Sequence, residues 1–276
     1  MREIDEPELQ PAKSVEIVDG ALDAGVLFLC DHASNALPAH YENLGLAAAQ
    51  FERHIAYDIG AAHVTRRLAA ALGAPALLTR FSRLLIDPNR GADDPTLVMR
   101  LSDGAIIPGN SRIGRDEIAR RLALYWRPYR EETAKLLDAM TGSGRIPALI
   151  SVHSFTPAWR GAQRPWEVGI LWDNDPRLPA PFMTALREAG VAVGDNEPYD
   201  GALAGDTLDA HANSRGLANM LIELRQDLIG DRLAAEAWAE RLAAHLRPVL
   251  AQSDVHMIQH HGSRADARPS GEARRI

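Results

Sequence analysis

Two short apolar runs that each lead into a histidine constrain the fold of this chain most strongly. Val26–Cys30 is followed by Asp31 and His32, and Ala148–Val152 is followed directly by His153. Apolar runs of this length are typical of strands that are buried on both faces of a parallel sheet. Ligands bind such sheets beyond the carboxyl ends of the strands. The two histidines are therefore candidate site residues at one edge of a sheet.

Apolar periodicity and turn residues predict that further strands alternate with helices. The other strands are predicted at Ala76–Thr79, Arg83–Ile86, Val168–Trp172, Val191–Val193 and Ala218–Leu224. The helices are predicted at Phe51–Leu72, Arg115–Met140, Pro181–Ala189 and Asp231–Leu250. Pro128 should kink or split the second helix. This alternation indicates an α/β fold whose mostly parallel sheet is covered by helices on both faces. Two irregular loops, Gly91–Asn110 and Asn196–Asp209, are expected to close over the site.

Length and composition fit one domain with a substantial core. The chain has 276 residues, of which 46% are hydrophobic, and we expect a single domain over residues 1–261 followed by a disordered, arginine-rich tail over 262–276. The apolar runs are too short to cross a bilayer, and the charged Met1–Ser14 segment is unlike a signal peptide. We therefore expect a cytoplasmic protein. Its net charge of −7 argues against nucleic acid as a partner.

Cysteine usage restricts the kind of metal site that the chain can form. Cys30 is the only cysteine, so a metal must be held by His, Asp or Glu. His32 and His153 lie at equivalent strand ends and suit a divalent ion, although each is equally consistent with a buried histidine that hydrogen-bonds a loop. Asp58 is the best third ligand, because the predicted helix turns its carboxylate inward. The alternative for Asp58 is a buried pair with an arginine. Two weaker ligand candidates are Glu52 and His54.

Glu223 lies among apolar residues in the predicted strand Ala218–Leu224. A carboxyl group in such surroundings should have a raised pKa, which suits a general base acting on a metal-bound water. The alternative is a salt bridge between Glu223 and Arg225 at a sheet edge. Ser154 follows His153 directly and Ser34 lies two residues after His32, but no Gly-x-Ser-x-Gly segment exists, which argues against a serine hydrolase.

A cluster of Arg83, Asn89 and Arg90 offers donors for a carboxylate. Arginine presents a planar fork that binds a carboxylate with two hydrogen bonds, and an asparagine amide adds another donor. The alternative is that Asp87–Arg90 is a turn whose arginine is solvated. Asn35 lies three residues after His32, but an amide is a poor zinc ligand, so we assign Asn35 to substrate orientation.

Five segments occur in the same order as in the N-formylglutamate amidohydrolases, a family that this chain resembles. The segments are Leu29–Asn35, His54–Gly60, Ser82–Arg90, Ser151–Thr156 and Ile222–Leu228. The resemblance implies a fold similar to zinc carboxypeptidases, in which a mixed, mostly parallel central sheet lies between helices and carries one zinc at its strand ends. It also implies hydrolysis of N-formyl-L-glutamate to formate and glutamate, the last step of one route of histidine degradation.

The same resemblance implies roles for individual residues. The expected ligands of one Zn²⁺ per chain are His32, Asp58 and His153. Glu223 is expected to activate a water at the open metal position, with the oxyanion stabilised by the metal and assisted by Arg83 or His211. The expected substrate-binding residues are Asn35, Asn89, Arg90, His211 and Arg225. Asn35 stands where carboxypeptidases carry a glutamate ligand, which keeps the identity of the third ligand open.

Two other functions remain open on the sequence alone. One is a zinc deacylase for other N-acyl amino acids, similar to aspartoacylase. The other is a protein that binds acyl amino acids without turnover. In each case the expected partner is a small-molecule N-acyl amino acid, and the expected assembly is a monomer or a homodimer.

Overall fold

A computed structural model describes residues 14–265 of the chain. The strands are β1 (Val15–Val18), β2 (Val26–Cys30), β3 (Ala76–Thr79), β4 (Leu101–Ser102), β5 (Ala105–Ile106), β6 (Ala148–Phe155), β7 (Ala158–Trp159), β8 (Ala162–Gln163), β9 (Val168–Leu171), β10 (Val193–Asp195) and β11 (Asn219–Arg225). The helices are α1 (Ala61–Leu72), α2 (Pro108–Ser111), α3 (Arg115–Arg121), α4 (Arg127–Gly142), α5 (Pro179–Glu188), α6 (Thr207–His211) and α7 (Arg232–Leu250).

The central sheet has seven strands in the order β1-β3-β2-β6-β11-β9-β10. Four neighbouring pairs are parallel, and the two antiparallel pairs are β1 with β3 and β11 with β9. The predicted mixed, mostly parallel α/β fold is confirmed. The remaining strands form two small ribbons, β4–β5 and β7–β8.

Helices cover both faces of the sheet because its central strands carry apolar side chains on both faces. Val26 and Phe28 of β2 pack into the core shared with α1, α5 and α7. Leu27 and Leu29 face the other way, into a smaller core with α4. Each such side chain contributes roughly 1.5–3 kcal/mol on burial. This arrangement leaves the carboxyl ends of β2, β6 and β11 side by side at one edge.

Most of the predicted elements are confirmed within a residue or two. The strands Val26–Cys30 and Ala76–Thr79 have the predicted bounds, and α7 begins after Asp231, whose side chain accepts a hydrogen bond from the Ala234 amide. The predicted split near Pro128 is also confirmed. A π-helical segment, Leu122–Trp126, separates α3 from α4.

Two predicted elements are wrong in ways that matter for the site. The predicted helix Phe51–Leu72 is helical only from Ala61, because Gly60 adopts a left-handed backbone with φ of 81°. The carbonyl oxygen of Ile229 occupies the space that a Cβ on Gly60 would need. Asp58 therefore lies in the turn before α1 and not on a helix face. The predicted strand Arg83–Ile86 is also wrong, because these residues form a buried turn.

The predictions for the two ends of the chain concern residues that the structure describes only in part. Arg264, in the expected tail, donates from its backbone amide to Asp173 and ion-pairs with Asp200. The rest of that expected tail, residues 266–276, lies outside the described residues, as does most of the charged segment 1–14. Among residues 14–265, every helix is too short or too polar to cross a lipid bilayer.

Candidate metal centre

Three strand ends bring the central side chains of the site together. His32 lies two residues beyond the end of β2, His153 lies in β6 and Glu223 lies in β11. Glu223 is paired directly with His153 across the parallel β6–β11 ladder. Strand alternation places both side chains on the face that also carries Ser151. The sheet itself therefore fixes the positions of the general-base candidate and of one candidate ligand.

Asp58 joins the two histidines. Its Oδ2 lies 2.8 Å from Nδ1 of His153 and 3.2 Å from Nδ1 of His32. The imidazole rings meet edge to face, with centroids 4.8 Å apart. The backbone amide of Asp58 donates to the carbonyl of His32 at 2.9 Å, which anchors the turn before α1 to the end of β2. All three side chains are buried. The structure thus brings together the three predicted ligands.

Two further carboxylates hold the outer nitrogens of the histidines. Nε2 of His32 lies 2.8 Å from Asp87, and Nε2 of His153 lies 3.0 Å from Asp31. Asp31 also accepts from Ser151 at 2.5 Å and from Thr207 at 2.7 Å. A carboxylate on the outer nitrogen fixes the tautomer and the orientation of an imidazole, and leaves the inner nitrogen free to bind a cation. Both Nδ1 atoms point inward in this arrangement.

The charges of this cluster stabilise one another. Burial opposes ionisation of Asp58, but the charges and hydrogen bonds of His32 and His153 outweigh it and lower its pKa. Burial likewise opposes the charge of His153, yet Asp31 and Asp58 raise its pKa well above the usual range. Asp31 has a pKa of about 2, because the contacts with His153 overcome its burial. The carboxylates are therefore ionised and attract positive charge.

The donor set fits a divalent metal. The ligand atoms of His32, Asp58 and His153 all lie within 4.8 Å of one another. Among residues 14–265, the positive charges in contact with Asp58 are the imidazoles of His32 and His153, when protonated, and the guanidinium of Arg83. Two neutral imidazoles and one carboxylate are a known ligand set for catalytic zinc, which keeps a further position open. Metal binding would release the imidazole proton, since only the neutral ring is a ligand.

Glu223 remains separate from this network. It is 6% exposed, and its Oε2 has no hydrogen-bond partner among residues 14–265. Burial and the negative charge of Asp58 raise its pKa to about 7, against the opposing charges of His153, His32 and Arg83. An unpaired buried carboxyl group is costly, so the fold retains it only where another contribution compensates.

Arg83 contacts two of the buried carboxylates of the centre, those of Asp58 and Asp87. Its Nη2 donates to Asp87 at 2.7 Å, and its Nη1 lies 3.7 Å from Asp58. Its Nε is buried without a partner in the described part of the chain. The buried turn that replaces the predicted strand aims this side chain, because the Arg83 amide donates to the carbonyl of Ala56. Arg83 thus lies against the predicted ligands, as expected for an oxyanion-stabilising residue.

Asn89 and Arg90 lie beneath the centre, where they hold a turn. Oδ1 of Asn89 accepts from the backbone amide of Thr207 at 3.1 Å. The guanidinium of Arg90 donates to the Asn89 carbonyl at 2.8 Å and to the Thr96 hydroxyl at 3.2 Å. These contacts connect the turn to α6 and to the following loop. The structure does not bring either side chain into contact with the three predicted ligands.

Two of the other predicted substrate-binding residues, Asn35 and Arg225, also make structural contacts, whereas the Nε2 of His211 is buried without a partner in the described part of the chain. Asn35 donates to the carbonyl of Phe51 at 2.9 Å. Arg225 forms a salt bridge with Asp227 and donates to the carbonyls of Arg164 and Trp166. His211 is buried in α6, and its pKa of about 4 reflects burial and the nearby charges of Arg130 and Arg215. None of the three contacts the predicted ligands in the described structure.

Several residues of the site were not predicted. Asp31 and Asp87 were visible as polar residues at strand or turn ends, but their role as partners of the histidines needs the three-dimensional pairing. Trp159 and Tyr199 pack around the guanidinium of Arg164, and the charge of Glu223 acts on the Tyr199 phenol, so we call these three residues the rim of the site. Nothing in the sequence marks these three, because they lie on short ribbons and loops with no periodic pattern.

The two irregular loops that were expected to cover the site are anchored to the body of the protein. Asn196 accepts from the backbone amides of Trp172 and Gly201, which holds the second loop against the end of β9. A Cβ on Gly169 would lie 2.2 Å from the carbonyl oxygen of Glu197 and 3.3 Å from Cβ of Glu223. Only glycine allows this loop to pack directly beside Glu223.

The fold and the site together define an α/β protein with a candidate metal centre at the carboxyl edge of its sheet. The model of the N-formylglutamate amidohydrolase family matches residues 24–230. The chain therefore belongs to the N-formylglutamate amidohydrolase family, a family of hydrolases, and the predicted family resemblance is confirmed.

Two solved structures are similar to the whole of this fold. A gene product of Agrobacterium tumefaciens, Atu2144, is 33% identical, with a TM-score of 0.82, over 88% of this chain and 97% of the other. An N-formylglutamate amidohydrolase from Ralstonia eutropha JMP134 is 21% identical, with a TM-score of 0.60, over 86% and 99%. The second likeness shows the fold alone. None of the curated proteins matched the chain.

Proposed function

We propose that this protein is a zinc-dependent amidohydrolase that releases formate from N-formyl-L-glutamate or a related N-formyl amino acid. Family membership supports hydrolysis of a formyl amide. The buried group of His32, Asp58 and His153 supports the metal requirement. Zinc held by these residues would lower the pKa of a water to about 7 and polarise the formyl carbonyl.

Glu223 carries the proton transfers in this proposal. As a carboxylate it accepts a proton from the water that attacks the formyl carbon. It then returns that proton to the amine nitrogen of the leaving glutamate, which breaks the amide bond and leaves formate and a free amino group. A pKa of about 7 suits both steps, because the group accepts and donates protons with little bias at neutral pH.

Arg83 stabilises the negative charge that develops on the formyl oxygen. Its guanidinium is already fixed by Asp87 and has an Nε without a partner among the described residues. A donor that is held in place before the reaction stabilises the transition state without reorganisation. Asn35, Asn89, Arg90 and Arg225 are held in place by the contacts described above, and His211, whose buried Nε2 has no partner among the described residues, remains a candidate substrate-binding residue in this proposal.

The observation that carries the proposal is Glu223, whose Oε2 has no partner among residues 14–265 and which is paired across the sheet with His153 of the His–Asp–His group. The test is hydrolysis of N-formyl and N-acetyl derivatives of glutamate, glutamine and aspartate by the zinc-loaded protein, with formate, acetate and free amine measured. Formate release with about one zinc per chain supports the proposal. Faster acetate release would assign an aspartoacylase-like deacylase, and thermal stabilisation by these compounds without product would assign a binding protein.

A further inference from the structure

Arg164 lies among aromatic side chains on the rim of the site, just after the β7–β8 ribbon. Its guanidinium carbon is 5.1 Å from the ring centroid of Tyr199 and 5.7 Å from those of Phe155 and Trp159. Its Nη1 donates to the carbonyl and hydroxyl oxygens of Thr156 at 3.3 and 3.1 Å. Arginine stacks favourably on such rings, so this guanidinium is held in place before any ligand arrives.

The charge of Arg164 is not neutralised within the described structure. Arg53, Arg83 and Arg225 each contact a carboxylate at 2.6 to 2.8 Å, and Arg90 is held in its turn by the Asn89 carbonyl and the Thr96 hydroxyl. No carboxylate of residues 14–265 lies within ion-pair distance of Arg164. A fixed, half-buried guanidinium without an acidic partner is suited to bind a carboxylate from outside with charge-assisted hydrogen bonds.

Two observations indicate that Arg164 is near the centre, although it does not belong to the group of predicted ligands. Phe155, under the guanidinium, follows His153 by two residues in β6. Tyr199, whose ring contacts the Arg164 guanidinium, also experiences the charge of the centre: burial and the charge of Glu223 raise the pKa of its phenol, while the charge of Arg164 opposes this shift. Tyr199 is also 43% exposed, so this rim is open to a ligand.

From this arrangement we infer that Arg164 binds the side-chain carboxylate of the substrate and thereby selects acidic N-formyl amino acids. This inference rests on the proposed function. Arg83 contacts Asp58 and Asp87 directly and lies where the formyl group reacts. In the described structure Arg164 contacts none of these residues and stacks on Tyr199 instead, and in this inference the far end of the glutamate side chain binds there. The rings of Tyr199 and Trp159 would pack against the methylene groups between the two ends.

The experiment compares Arg164→Gln with the wild-type protein on two nearly isosteric substrates, N-formyl-L-glutamate and N-formyl-L-glutamine, both with zinc present. The variant should lose at least tenfold in kcat/KM on formylglutamate, mainly through KM, because a charge-assisted contact is lost. Its activity on formylglutamine should change by less than threefold. The preference for the acidic substrate should therefore collapse, and Arg164→Lys should restore part of it.

Arg160→Gln is the matched control. Arg160 is exposed on the same ribbon, with its guanidinium 5.8 Å from the ring of Trp159, and its loss changes the net charge by the same amount. This variant should keep the preference. An equal loss on both substrates in Arg164→Gln, or the same loss of preference in Arg160→Gln, would overturn the inference. Thermal melts of both variants separate these results from misfolding.

A binding measurement tests Arg164 separately from turnover. If the wild-type protein releases no formate, the proposed function fails, and calorimetry with L-glutamate and L-glutamine on the zinc-loaded protein decides the role of Arg164. Tighter binding of glutamate that weakens tenfold in Arg164→Gln supports the inference. Glutamate binding that is absent, or equal in the two proteins, contradicts it.

Discussion

The metal centre and the Asn89–Arg90 turn are two buried polar regions at the same edge of the sheet, but their polar atoms are used differently. In the turn, Asn89 and Arg90 donate to or accept from neighbouring backbone and hydroxyl groups. In the centre, Glu223 and Arg83 each retain a buried polar atom without a partner among residues 14–265. Two imidazoles also share a single oxygen of Asp58.

This difference separates a region that stabilises the fold from one that is prepared to bind. A hydrogen bond that is already complete contributes modestly to stability, whereas a buried polar group without a partner costs about 1–3 kcal/mol. A fold retains such a cost where a ligand or a reaction compensates for it. Substitutions in the centre should therefore change activity, and substitutions around the turn should change stability.

The largest effect is expected for Glu223→Gln. The amide keeps the shape of the side chain but cannot accept a proton from water, so kcat on N-formyl-L-glutamate should fall by about 10²–10⁴-fold. Zinc content and melting temperature should stay close to the wild type. Glu236→Gln, on the exposed face of α7, is the control. Near-normal turnover would remove Glu223 from the role of general base.

A smaller effect is expected for Asp31→Asn. The substitution weakens the orienting bond to Nε2 of His153 without removing a proposed ligand. Zinc affinity, measured by competition with a chromogenic chelator, should fall by about 10–100-fold. Excess zinc should restore part of the zinc occupancy that the variant loses. Unchanged affinity would show that Asp31 serves only the buried contacts with Ser151 and Thr207.

The pH dependence of the unfolding free energy tests whether Asp206 stabilises the fold. Its Oδ1 caps α6 by accepting from the Asp209 amide at 2.8 Å. Burial, with the charges of Asp31 and Asp209, raises its pKa to about 7, above an unfolded value of about 4. The protonated carboxyl therefore contributes stability that is complete below about pH 4 and is lost as the pH rises through 7.

Asp206→Asn should keep the cap and remove this pH dependence. Between pH 5 and pH 8 the wild-type protein should lose about 2–3 kcal/mol more of its unfolding free energy than the variant does. Thermal melts at both pH values measure the difference. Parallel pH profiles for the two proteins would mean that Asp206 is ionised in the folded state throughout this range.

The smallest effect is expected for Arg90→Ala. Its side chain makes local hydrogen bonds to Asn89 and Thr96, so the loss should be about 1 kcal/mol of stability. KM for N-formyl-L-glutamate should stay within about twofold of the wild type. A strong rise in KM with unchanged stability would support the carboxylate-binding role predicted from the sequence.

The sequence was most informative where local pattern and fold agree. The apolar runs before His32 and His153 predicted buried parallel strands, because few other structures accommodate continuous apolar residues that end in polar ones. The edge strand β1 was missed, since Val15–Val18 is only partly buried and carries Glu16. The inward carboxylate of Asp58 was predicted, but for the wrong local structure.

Contacts that are distant along the chain explain what the sequence did not reveal. The helix α1 begins only after Gly60, whose backbone is approached closely by Ile229. These two residues are far apart in sequence. The pairs of His32 with Asp87 and of His153 with Asp31 likewise depend on the packing of separate elements. The same applies to Arg164, whose environment is assembled from one strand end, one ribbon and one distant loop.

The attachment of the β7–β8 ribbon has a consequence for how this family can diversify. Arg225 fixes the base of the ribbon through the carbonyls of Arg164 and Trp166, while the proposed ligands belong to other segments. Residues at the ribbon tip can therefore be exchanged without disturbing the hydrolytic machinery. Directed evolution towards new acyl amino acids would do best to randomise this hairpin and leave the strand ends intact.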